Sequence, residues 1–162
     1  MYLSVSMPMG AVIMATVKLE GIQEIDKMFM RMSNIPFNVL SDALGEMAKA
    51  AADAVEKTGS AMGVRDPESD EHILDKITTT KPKKTSGGGT ADVTFSGTRE
   101  RGRNNYETRN AEIAFVNEYG KRGQDKRPFI RQATEQYAKQ IFDPGEKILG
   151  DWFVKQADTT TN

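Results

Sequence analysis

Apolar positions along this chain follow two rhythms, and together they predict an α+β fold. Ile13, Ala15, Val17 and Leu19 alternate with polar neighbours, the pattern of a half-buried strand that Gly21 ends. Ile22, Ile25, Phe29 and Met32 then fall at helical spacing, and Ser33-Asn34 with Pro36 marks a break and a restart. From Pro36 to Lys57, Leu40, Leu44, Met47, Ala51 and Val55 make one stripe, flanked by Ala43, Ala48 and Ala52. That run predicts the longest helix, with alanines small enough for close packing and Thr58-Gly59 as its stop. Strands are expected over 72–81, over 91–98, where Val93 and Phe95 alternate with Thr94 and Ser96, and over 110–119. A last helix opens near Pro128 with Ile130, Ala133, Tyr137 and Ile141 on one face. Asp143-Pro144 should stop it and cap a further short helix carrying Ile148, Leu149, Trp152 and Phe153.

The segments between these elements predict loops. Residues 59–72 are polar, 82–90 hold three consecutive glycines, and 99–109 are Arg-rich with Tyr106 as the one apolar anchor. The last two should be mobile, because neither offsets its own ordering entropy. The expected architecture is a mostly antiparallel sheet packed against amphipathic helices, with long mobile loops. Residues 1–13 read as an N-terminal extension, 14–157 as a single domain and 158–162 as a frayed tail.

Charge changes this picture more than composition does. A hydrophobic fraction of 38% is low for 162 residues, which suits a small domain with solvated loops or one that completes its burial in an oligomer. Net charge is only −1, but residues 1–75 hold 6 Lys/Arg against 12 Asp/Glu, whereas 76–131 hold 13 against 6. Segregation of this kind steers complementary partners or neighbouring copies of one subunit. The chain has no cysteine, which excludes disulfides, Cys-ligated zinc and thiol nucleophiles. The apolar N-terminus lacks a basic leader and is interrupted at Pro8, so a signal peptide is not expected. No run is long enough to span a bilayer.

Candidate chemistry is sparse. The single His72 stands beside Asp70 and Glu71, but consecutive residues seldom converge on one ion, so a solvated histidine is the better reading and no metal is expected. Ser86 to Thr90 resembles a phosphate cradle in composition only, lacking the lysine and the following helix of a P-loop, and no cofactor is expected. No residues stand out as catalytic. The basic stretches are stronger: Arg99, Arg101, Arg103 and Arg109, and separately Lys121, Arg122, Lys126 and Arg127, could grip phosphate.

The most specific stretch is NEYGKRGQDKRPFIRQA from Asn117 to Ala133. Gly120 gives backbone freedom after Glu118-Tyr119, a basic loop follows, and Arg127-Pro128-Phe129 opens a helix. Taken with VKLEGIQEIDKMF near the start, the Ala-rich helix and Thr58-Gly59, this order resembles the tail-completion or neck (head–tail joining) proteins of long-tailed bacteriophages. Lys57 and Lys121 depart from the family pattern, which has a proline before Thr-Gly and a small residue after the Gly. The resemblance implies a non-enzymatic virion subunit, assembled in the host cytoplasm, that forms a homo-oligomeric ring of six. Its partners would be the tail tube protein and the head connector or stopper, with non-specific contact to DNA in the channel. Under it, Glu118, Tyr119, Arg127, Arg99, Arg101, Arg103, Lys121 and Arg122 are candidate subunit or ring contacts. Tyr119 and Phe129 would close the junction and Glu118 and Arg127 would pair across it, while Gly120, Pro128 and Phe129 shape the motif. The alternative is a small nucleic-acid-binding protein using its Arg-rich loops. An enzyme without a recognisable motif stands third.

Overall fold

The protein is α+β. A computed structural model describes residues 34–65, 72–86, 88–101 and 106–158. The strand expected over 13–19 and the helix over 22–32 lie outside the described residues, as does most of the C-terminal tail. Residues 36–162 form one compact unit. It contains helix α1 (Phe37–Ala61), a 3-10 turn (Ile73–Lys76), and strands β1 (Ile77–Thr79), β2 (Lys83–Thr85), β3 (Gly88–Thr90), β4 (Val93–Phe95), β5 (Thr98–Arg101) and β6 (Tyr106–Arg109). Helices α2 (Asn110–Tyr119) and α3 (Phe129–Asp158) complete it.

Helix α1 runs four residues past its expected stop. Gly59 is not a cap but a point of close approach: a Cβ there would lie 2.7 Å from Leu74 Cδ2 and 3.0 Å from Phe129 Cδ2. Termination falls instead to Gly63 at φ +69°, with Gly63 N–H donating to the Ser60 carbonyl and Val64 N–H to that of Gly59. This is the paired hydrogen bonding of a Schellman motif, which requires a left-handed residue at that position.

The strands pair antiparallel in three two-stranded ladders. β1 pairs with β4 (Ile77 opposite Phe95) and β2 with β3 (Lys83 opposite Thr90), one nested inside the other as a single long hairpin. The register slips by one residue where Lys81-Pro82 oppose Ala91, a bulge that accommodates a proline unable to donate to the ladder. The glycine-rich stretch expected to be a mobile loop is therefore the hairpin's end. A Cβ on Gly89 would stand 2.8 Å from Leu44 Cδ1 and 3.3 Å from the Lys83 carbonyl oxygen, so the hairpin lies directly on α1. The Arg-rich stretch is likewise paired, Thr98 opposite Arg109 and Arg101 opposite Tyr106.

Two further expectations are corrected. Residues 110–119 are helical, not a strand. Their buried positions, Asn110, Ile113, Ala114, Asn117 and Glu118, repeat at helical spacing, but three are polar, so the hydrophobic rhythm conceals the period. Helix α3 also continues through Pro144 to Asp158; its non-helical residue is Tyr137, at φ −112°. An interior proline costs about 3 kcal/mol. Here that cost is offset by packing along α1, where Gly145 takes the Met47 side chain so closely that a Cβ would lie 2.7 Å from Met47 Cγ. The core gathers Ala54 and Val55 of α1, Ile73 and Leu74 of the turn, Ile113 and Ala114 of α2, and Phe129, Ala133 and Ile141 of α3.

Candidate functional site between the last two helices

The Glu118–Phe129 module folds as a helix end, a tight turn and a helix start. Gly120 ends α2 at φ +79°, and a Cβ there would stand 3.1 Å from both the Gln124 oxygen and the Lys126 nitrogen. Only glycine meets both demands. Lys121 and Gln124 then exchange backbone hydrogen bonds of 3.1 and 2.9 Å around Arg122 and Gly123. Pro128 sets the first turn of α3, its carbonyl accepting from Gln132 N–H at 3.0 Å.

Glu118 is nearly fully buried, and its carboxylate accepts from the backbone N–H groups of Ile130 (2.8 Å) and Arg131 (3.2 Å). Those donors have no partner within their own helix, so a carboxylate reaching across from α2 supplies both hydrogen bonds and favourable charge at the positive end of α3. The expected Glu118–Arg127 pair is absent for this reason. Arg127 instead donates from Nη1 to the Gly63 carbonyl at 2.6 Å, clamping the module to the end of α1. Phe129 is completely buried, edge-on to Phe95 with ring centroids 6.0 Å apart.

Tyr119 behaves differently. It is 67% exposed and rests against Phe115, itself 61% exposed, with centroids 4.6 Å apart. Tyr119 thus does not close the junction from inside, and Phe115 lies beside it on the exposed face of α2, where a strand was expected over 110–119. In helical register the two are i and i+4 neighbours on one face, which is the signal that would have found them. They border an open groove of about 680 Å³ between α2, α3 and β4. Val93 and Phe95 form one side, Ala111 and Ala114 the small-residue side, and Glu118, Lys126 and Arg131 the charged rim. Lys121 and Arg122 stand exposed on the adjacent turn.

The other predicted site residues separate from this groove. Arg99 is half-buried and donates from Nε to Asn110 Oδ1 (3.0 Å), while Asn110 Nδ2 donates to the Ser96 carbonyl (2.7 Å). Arg99 therefore braces the start of α2. Arg101 lies at the end of β5, and Arg103 is outside the described residues. Among the described residues there is no group of three His, Asp or Glu placed to hold a metal ion, and no helix long and apolar enough to cross a membrane.

No family model, curated protein or solved structure matches this chain.

Proposed function

We propose that this protein is a structural subunit of a phage virion, placed at the head–tail interface, where rings of it join the tail tube to the head connector. Support comes from the order of motifs and from one observation above all. The Glu118–Phe129 module is internally complete, capped and clamped, yet it leaves Phe115 and Tyr119 exposed together beside a basic turn. Exposed aromatics in a groove with charged edges are characteristic of contact surfaces between proteins. The role is non-enzymatic and needs no cofactor. Deleting the gene in its phage, with the unsubstituted gene supplied in trans as control, is the test. Free heads and free tails should accumulate without the gene, and joined particles should return with it. Normal yields of joined particles from the deletion would exclude the role.

The same surface favours a second reading. Aromatic faces beside Lys121, Arg122 and Lys126 also suit single-stranded nucleic acid, which stacks bases on rings and runs its phosphates past cations. A gel shift with random oligonucleotides separates the two. Tight binding that weakens steeply with salt favours this second reading, and no shift favours the virion role.

A further inference from the structure

The geometry points to the occupant of the Phe115–Tyr119 groove: the distal half of α3 from a second copy of this chain. The inference rests on the ring-subunit reading and names the contact that would build the ring. Among the described residues, the exposed large hydrophobics fall in two places, Phe115 and Tyr119 at the groove, and Phe142 and Val154 on the distal half of α3. Phe142, Leu149 and Phe153 recur at i, i+7 and i+11, one flank of a helix, with Glu146 beside them. Charge agrees with shape. The groove and its turn carry Lys121, Arg122, Lys126 and Arg131 against Asp125 and the capping Glu118, whereas residues 141–158 hold four acids, Asp143, Glu146, Asp151 and Asp158, against two lysines. Complementary charge around an apolar centre sets register and orientation between copies.

One chain cannot satisfy both surfaces itself. The groove is lined by Ile130 and Thr134 at the start of α3, and Phe142 follows Thr134 by about 12 Å along the same helix at 1.5 Å per residue, so the flank cannot turn back into its own groove. Gly145 packs against Met47 of α1 and holds the distal half in place. The contact is therefore heterologous, groove to helix flank, and successive copies make a ring if the rotation closes.

Two variants of the full chain test this by native mass measurement at high micromolar concentration. The groove variant carries Phe115→Ser, Tyr119→Ser and Lys126→Glu. The flank variant carries Phe142→Ser and Glu146→Lys. All five positions are exposed, so circular dichroism should show both variants folded. The unsubstituted chain should form oligomers, and each variant alone should associate about tenfold more weakly or worse. Mixed together they should recover dimers and nothing larger, because one pair contains one intact groove and one intact flank. Oligomers of unchanged mass in either variant would overturn this contact while leaving the ring reading intact. Failure of the mixture to pair would also overturn it, as an isologous interface gives that result. If the unsubstituted chain is monomeric, Tyr119→Cys and Phe142→Cys chains are mixed with a bismaleimide, the native chain having no cysteine. Absence of the mixed cross-link overturns the contact, whereas the particle phenotype of the gene deletion decides the virion reading without reference to the groove.

Discussion

Phe129 and Tyr119 stand on either side of one short turn, and their environments are opposite: Phe129 is 0% exposed and Tyr119 67%. Both are aromatic, and both belong to the same sequence module. Phe129 lies over Gly59 and against Phe95, where α1, β4 and α3 converge, and removing it leaves a void that rigid neighbours cannot fill. Tyr119 touches Phe115 and otherwise faces the groove. The module thus has an inner half that completes the core and an outer half that the monomer does not require. Residues retained for the monomer should reveal themselves in stability, and those retained for a partner in association.

The sharpest way to break this comparison is Phe129→Ala. We expect a loss of about 3–5 kcal/mol in urea unfolding, as for other fully buried aromatics. A midpoint within error of the native protein would mean the core does not depend on this ring. Glu118→Ala should cost less, about 1–3 kcal/mol, since it strands the Ile130 and Arg131 N–H groups and removes a charge from the α3 terminus. Hydrogen exchange at those two amides should accelerate relative to the middle of α3, and unchanged protection would contradict the cap. Phe115→Ser with Tyr119→Ser should lie on the other side of the comparison, changing stability by no more than about 0.5 kcal/mol. A loss rivalling that of Phe129→Ala would show the pair to be core after all.

The smallest effect concerns pH. Arg65 donates to Asp75, and this hydrogen bond holds the Asp75 carboxyl below its ordinary value of 3.8. A depressed folded pKa contributes stability above the unfolded value, which is lost as pH falls through the folded one. Both side chains are partly solvated, so the contribution is small and screened by salt. Melting temperatures of the native protein and Asp75→Asn should differ slightly at pH 7 and converge as pH drops below 3.8. A gap that widens on acidification would refute the assignment.

Local pattern was sufficient wherever burial and hydrophobicity coincide. The helix of α1, the alternation of Val93 and Phe95 and the start of α3 at Pro128 were legible, because apolar side chains there recur at the period of their element. Of the expected α1 stripe, however, only Val55 is fully buried, beside the flanking Ala43 and Ala48, while Leu40, Leu44, Met47 and Ala51 are half-buried. The need for glycine at Gly120 was legible too, although it ends a helix and not a strand. Tertiary structure decided the rest. It made 110–119 helical by burying Asn110, Asn117 and Glu118, whose polar character hides the period: Asn110 and Glu118 find partners in other segments, and Asn117 donates back to the Ile113 carbonyl of its own helix. It carried α1 through Gly59 and α3 through Pro144, because Leu74, Phe129 and Met47 occupy the space that small residues leave open. It turned Gly88 and Gly89 from part of an expected mobile loop into a hairpin seated on Leu40 and Leu44, and it assigned Arg99 to Asn110. Propensity and periodicity describe one segment at a time, whereas a close approach, a buried carboxylate or a cap shared between helices exists only once two distant segments meet.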